Sequence, residues 1–302
     1  MAKTFLRLTC WLSSCLVSAL AVEPLRIVTL HTVLTEIVRE VGGKEVALTP
    51  LLSPGIDPHA FEPAPADIRR LKQADLVFAA GLGLETYLPK LVKDAKPGQI
   101  IEVGGLLPNL LKTCLEGHDH GHDHSHDHGE TDPHWWHSLD QVMAAVDVVA
   151  RVCGERQPGA AAAFTRNATA FKARLAALQT WARAEIAQIP LNRRLLVTSH
   201  DAFGYFARDF GFKVHPLLGA STAGEANARR VAATIDLIRR EKIKAVFAEV
   251  SANPRLIQTI VRETGARLGQ PLWGDGLGTE PGNATIEAMF RHNLSAIVDA
   301  LR

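Results

Sequence analysis

Residues 159–189, GAAAAFTRNATAFKARLAALQTWARAEIAQI, are rich in alanine and contain neither Gly nor Pro after Gly159, which predicts one long helix. At 1.5 Å per residue it spans about 45 Å, the length of a whole domain. Phe164, Phe171, Leu175, Leu178 and Ile186 recur at helical spacing, giving the helix an apolar stripe to lay against its neighbours. A rigid strut is expected rather than a flexible linker.

On both sides of this helix, short apolar runs alternate with helical stretches. Ahead of it, strands are expected at 25–30 (LRIVTL), 45–52 (EVALTPLL), 76–80 (LVFAA) and 99–103 (QIIEV), with helices near 33–41, 65–73, 84–94 and 138–152. Beyond Pro190, strands at 194–199 (RLLVTS), 213–218 (KVHPLL), 245–250 (AVFAEV) and 271–273 (PLW) alternate with helices near 202–210, 227–241, 254–265 and 284–301. Continuous apolar strands fit buried parallel sheets, so the fold class is α/β in two similar halves. The expected organisation is a signal peptide at 1–21, an N-terminal α/β domain at 22–157, the connecting helix at 158–189 and a C-terminal α/β domain at 190–302.

Lys3 and Arg7 precede the apolar run Leu8–Leu20, and Ala19-Leu20-Ala21 supplies the small residues of an export signal cleaved after Ala21. The run is shorter than the roughly 20 residues that span a bilayer, so an exported, periplasmic protein is expected. Leu12-Ser13-Ser14-Cys15 offers the alternative of lipid attachment at Cys15. In an oxidising compartment the remaining cysteines, Cys114 and Cys153, are candidates for a disulfide, with two separate thiols as the alternative. A balance of 33 basic against 32 acidic residues gives no reason to expect a nucleic-acid or membrane-surface partner.

The histidines are the unusual feature. Six of them, His118, His120, His122, His124, His126 and His128, fall within GHDHGHDHSHDHG at 117–129, which has no apolar residue to enter a core. Near neutral pH their imidazoles offer lone pairs to borderline metals such as zinc. A loop that loses entropy whenever it closes on an ion suits capture and hand-off better than retention.

Four other residues read as a preformed pocket. His59 and His134 each follow Asp-Pro, and the proline limits the backbone freedom lost on holding a metal. His200 comes directly after RLLVTS, and Asp275 stands in WGDGLG past the last expected strand. All four fall beyond the carboxyl ends of strands, where open α/β sheets bind ligands. Three imidazoles and one carboxylate suit tetrahedral Zn(II), whereas manganese and calcium prefer more oxygen. His137, three residues beyond His134, is either an auxiliary ligand or a supporting residue near the entrance. His31, Glu62 and Glu249 are candidate hydrogen-bond partners around the site.

At these residues the chain resembles the zinc- and manganese-type solute-binding proteins of bacterial ABC importers. PGIDPHAFEPAPADI, DPHWWHSLD, VTSHDAFGYFARDFGF and GDGLG look, in this order, like that family's four ligand segments. The resemblance implies two domains, each with a four-stranded sheet, locked by one long helix around an interfacial metal. It also implies a monomer without enzymatic activity that delivers Zn(II) to a permease in the inner membrane, with a metallochaperone as a further partner. Histidine at position 200 and the histidine-rich segment point to the zinc-type subgroup. Where the family often has an apolar residue followed by Leu-Asp-Pro after the second ligand, this chain has Trp135-Trp136-His137-Ser138. The competing functions are an exported zinc hydrolase, storage by the histidine segment alone, and binding of manganese or another divalent ion.

Overall fold

The structure, a computed structural model, describes residues 23–93, 95–113, 131–220, 228–250, 255–280 and 282–302. The export segment with Cys15, the histidines of 118–128 and Cys114 lie outside these residues. Cys153 is buried and unpaired among the described residues.

The N-terminal half is a parallel sheet of four strands, β1 (Leu25–Thr29), β2 (Val46–Pro50), β3 (Leu76–Ala79) and β4 (Ile100–Glu102), in the order β2-β1-β3-β4. Central β3 is buried at every position, as expected of a strand covered on both faces. Helices α1 (Thr32–Gly42), α2 (Pro65–Gln73), α3 (Leu88–Val92) and α4 (Leu139–Arg156) follow the strands or close the half. The expected helix 84–94 is shorter because the chain first turns through Gly81, Leu82 and Gly83 at positive φ. There the Glu85 carboxylate accepts the backbone N–H groups of Ala80 and Gly81, competing with a helical start.

Helix α5 (Ala161–Ile186) runs for 26 residues behind a short 3-10 turn at 158–160. Its buried residues, Phe164, Ala168, Phe171, Leu175, Leu178, Ala182 and Ile186, belong to a core that includes residues of both halves, and it packs on α1, α4 and the last helix.

Beyond it, β5 (Leu195–Thr198) pairs in parallel with β6 (Lys213–Pro216), and β7 (Ala245–Val246) with β8 (Arg267–Leu268). The Phe247 N–H donates to the Val197 carbonyl at 2.9 Å, which joins the two pairs side by side. Helices α6 (Gly204–Phe210), α7 (Ala228–Glu241), α8 (Arg255–Thr264) and α9 (Ile286–Leu301) complete this half. Two expectations are corrected here. The strand foreseen at 245–250 stops at Val246, and 271–273 contributes only one parallel bridge, Leu272 to Glu249, while the ordered edge strand is Arg267–Leu268. That edge is exposed at both residues and therefore lacks an apolar pattern.

Candidate metal centre

Two Asp-Pro-His tripeptides build half of the site by the same local device. Asp57 Oδ1 accepts the His59 N–H at 2.8 Å, and Asp132 Oδ1 accepts the His134 N–H at 2.9 Å. Each is an Asx turn in which the intervening proline fixes φ, so the backbone leading into the histidine has little freedom. His200 follows β5 and Asp275 follows the Leu272 bridge, both at the carboxyl ends of their strands.

The four side chains converge at the junction of the halves. Asp275 Oδ1 lies 3.0 Å from His200 Nε2, 3.4 Å from His59 Nε2 and 3.7 Å from His134 Nε2, and the Nε2 atoms of His59 and His134 are 3.3 Å apart. One donor atom from each of the four residues lies within 4.8 Å of every other. A tetrahedron with metal bonds of about 2.0–2.2 Å has edges of about 3.3–3.6 Å, so the spacing suits one small four-coordinate ion. All four residues are buried.

Electrostatics follow from that burial. Desolvation opposes the charge on Asp275, but the imidazoles of His200, His134 and His59 outweigh it and hold the carboxyl well below the usual carboxylate range. Burial likewise pushes His200 down, yet Asp275 and Glu249 hold it well above the ordinary histidine range. His134 is raised in the same way, Asp132 and Asp275 overcoming desolvation.

Around the four donors stands a ring of supporting groups. Glu249 Oε2 is 3.4 Å from His200 Nδ1, and Glu249 Oε1 accepts the Ser199 N–H at 3.1 Å. His31 caps α1, its Nδ1 accepting the Val33 N–H, so its Nε2–H is left to donate to the Asp275 carbonyl at 3.1 Å. Burial pushes the His31 imidazole down to about 3, which keeps it neutral. His137 Nε2 donates to the Gly274 carbonyl at 2.8 Å, and Trp136 Nε1 donates to the same oxygen at 2.9 Å. With its ring stacked on Phe203 at 4.6 Å, His137 faces a peptide oxygen rather than the four donors. The Leu277 N–H donates to Thr32 Oγ1 at 3.1 Å, and the Ile286 N–H to Glu36 Oε2. The segment carrying Asp275 is thus tied to the other half on both of its flanks.

Glu62 is a correction. It is exposed and, among the described residues, makes no hydrogen bond with an imidazole, lying in the stretch between His59 and α2. Asp132 was missing from the expected partners, although Oδ1 stands 2.8 Å from His134 Nδ1. Its only sequence signal is the Asp two residues ahead of the histidine, which reads first as turn chemistry.

Residues 27–300 match the family described as ZnuA, zinc-uptake complex component A, periplasmic. The manganese-binding lipoprotein MntA of Bacillus subtilis (strain 168) is 35% identical over 289 residues, 93% of this chain and 90% of that protein. The zinc-binding protein TroA of Treponema pallidum (strain Nichols) is 30% identical over 282 residues, 91% of this chain and 88% of TroA. The iron-binding protein YfeA of Yersinia pestis is 29% identical over 259 residues, 85% of this chain and 79% of YfeA. The solved structure of the periplasmic zinc-binding protein TroA superposes with a TM-score of 0.82 at 29% identity, covering 92% of this chain and 99% of that one.

Proposed function

Because this chain belongs to the family of periplasmic zinc-uptake components, it is the extracytoplasmic metal-binding part of an ABC metal importer rather than an enzyme, and we propose that its cargo is Zn(II). Its relatives are named for manganese, zinc and iron, so family membership leaves the ion to the donor set. The observation that carries the zinc reading is a cluster of three imidazole nitrogens within 3.0–3.7 Å of one carboxylate oxygen, all four donors lying within 4.8 Å of one another, which suits a closed tetrahedral site. Manganese favours a shell richer in oxygen.

In this reading His59 and His134 come from the N-terminal half, and His200 and Asp275 from the C-terminal half, so a bound ion ties the halves together. Asp132 accepts from His134 Nδ1, which directs the His134 Nε2 lone pair inward, and the Glu249 carboxylate stands 3.4 Å from His200 Nδ1 and favours a proton on that nitrogen. Loading displaces the protons that the buried network holds in the metal-free protein. The loaded protein is then delivered to the importer's membrane permease, which works with an ATPase component. His118, His120, His122, His124, His126 and His128 serve as a weaker collector, exchanging ions with the pocket but not needed for tight binding. The N-terminal segment fits export with cleavage after Ala21; lipid attachment at Cys15 is the second reading, favoured by the lipoprotein MntA.

Metal analysis of protein purified without added metal, followed by competitive zinc and manganese titration of the intact and 118–128-deleted chains, tests this proposal. The expected outcome is more than one zinc per intact chain, one tight zinc after deletion, and displacement of manganese by zinc. Manganese as the sole ion recovered, with zinc unable to displace it, overturns the zinc reading.

A further inference from the structure

We propose that Asp132 is a positioning residue for His134, and that Gly204 and Tyr205, from the opposite half of the molecule, hold it in place. The inference rests on the reading that His134 binds the ion. Three observations carry it.

Asp132 Oδ1 lies 2.8 Å from His134 Nδ1 while accepting the His134 backbone N–H at 2.9 Å. An acceptor at Nδ1 keeps the ring proton there and leaves the lone pair on Nε2, the atom that faces His59 Nε2 at 3.3 Å. In a free neutral histidine side chain the proton prefers Nε2, and that tautomer has no lone pair to offer from that atom. Asp132 thus selects the ring form that the pocket needs.

The second observation comes from α6. A Cβ placed on Gly204 would lie 2.7 Å from Asp132 Oδ2, so the carboxylate occupies room that any larger residue at 204 would take. Gly204 is not in the left-handed region, and its backbone accepts alanine without strain. What glycine provides at this position is space for Asp132.

The third is the anchoring of the Asp132 peptide. The Tyr205 hydroxyl donates to the Asp132 carbonyl and accepts the Leu111 N–H, each at 3.1 Å, while the Asp132 N–H donates to the Leu111 carbonyl at 2.9 Å. Next to them Lys112 and Thr131 form an antiparallel bridge. The stem formed by 111–112 and 131–132 therefore ends on the residue that orients His134, and the C-terminal half grips that stem through one hydroxyl.

The test uses the full chain and zinc alone, with affinity read by competition against a chromophoric chelator. D132A is expected to weaken zinc binding about 10- to 100-fold, the usual effect of removing the carboxylate behind a metal-bound histidine. D132N keeps an oxygen acceptor for Nδ1–H and should recover most of that loss. G204A should weaken zinc binding by displacing Asp132, with a cooperative thermal melt of the metal-free protein showing that the variant is folded. The double variant D132A/G204A should bind no worse than D132A, because both changes act through one carboxylate. Long-range proton–nitrogen NMR of metal-free protein, at a pH high enough to leave His134 neutral, should place its ring proton on Nδ1 in the wild type and shift it toward Nε2 in D132A and G204A. Wild-type affinity in D132A and G204A, an unchanged tautomer, or losses that multiply in the double variant overturn the proposal. H134A separates the two readings. Tight zinc binding by H134A refutes the ligand role itself, whereas loss in H134A with wild-type binding in D132A and G204A refutes only the positioning role.

Discussion

Replacing His137 with Phe separates a structural histidine from a ligand. His137 is buried against Phe203 and donates to the Gly274 carbonyl at 2.8 Å, and burial pushes its imidazole down to about 4. In the unfolded chain the same group titrates near about 6.5. A folded value below the unfolded one means that His137 supports the fold fully above about pH 6.5 and that this support is lost as pH falls toward 4. At about pH 5 the unfolded chain holds this proton almost fully and the folded chain about one time in ten, a difference worth about 2 kcal/mol. Phenylalanine does not titrate. It keeps the stack but loses a hydrogen bond worth about 1 kcal/mol, and Trp136 Nε1 still satisfies the Gly274 carbonyl at 2.9 Å. Packing changes act equally at both pH values, so H137F should gain about 2 kcal/mol on the wild type between about pH 7.5 and pH 5. Urea unfolding of chelator-treated protein at the two pH values measures this directly. Parallel pH dependence in the two proteins refutes a neutral, buried His137. A hundredfold loss of zinc affinity in H137F at the higher pH shows instead that His137 binds the ion.

H200E substitutes oxygen for nitrogen in the donor set and should weaken zinc binding at least tenfold while narrowing the preference over manganese, as read by competition titration. Glu85 is buried and its carboxyl is pushed up to about 7, above an unfolded value near 4.5. Its contribution is therefore fullest below pH 4.5 and lost as pH rises through about 7, on the order of 3 kcal/mol, so the stability of E85Q should change less across that range in thermal melts of metal-free protein. F171A removes a buried ring from α5 and should cost about 3–5 kcal/mol in urea unfolding, with zinc stoichiometry unchanged in the folded fraction.

What was readable in the sequence follows from what each part of the fold demands. Strands β1 and β3 and helix α5 announce themselves because burial, within the sheet or along one stripe, imposes an apolar pattern, whereas β2 and β4, at the sheet's edges, are legible from their apolar composition although no residue in them is fully buried. Arg267–Leu268 escapes because an exposed edge pair needs no such pattern, and the hydrophobic PLW at 271–273 draws the eye instead. The short α3 reflects a contest between the Glu85 carboxylate and helix formation that no periodicity records. At the site, Asp-Pro-His marked His59 and His134 as stiffly held, and strand ends marked His200 and Asp275. The partners of those residues depend on pairs far apart in the chain: His31 with Asp275, His137 with Gly274, and Gly204 with Asp132. Glu62 misled because nearness in sequence to His59 does not decide burial: His59 is buried and Glu62 is exposed.

X-ray absorption at the zinc edge, on chain lacking 118–128 and loaded with one equivalent of zinc, tests the central claim most directly. Three imidazole nitrogens and one carboxylate oxygen at about 2.0–2.1 Å are predicted, with the oxygen replaced or lost in D275A. A six-oxygen shell, fewer than three imidazoles, or a spectrum unchanged by D275A would contradict it.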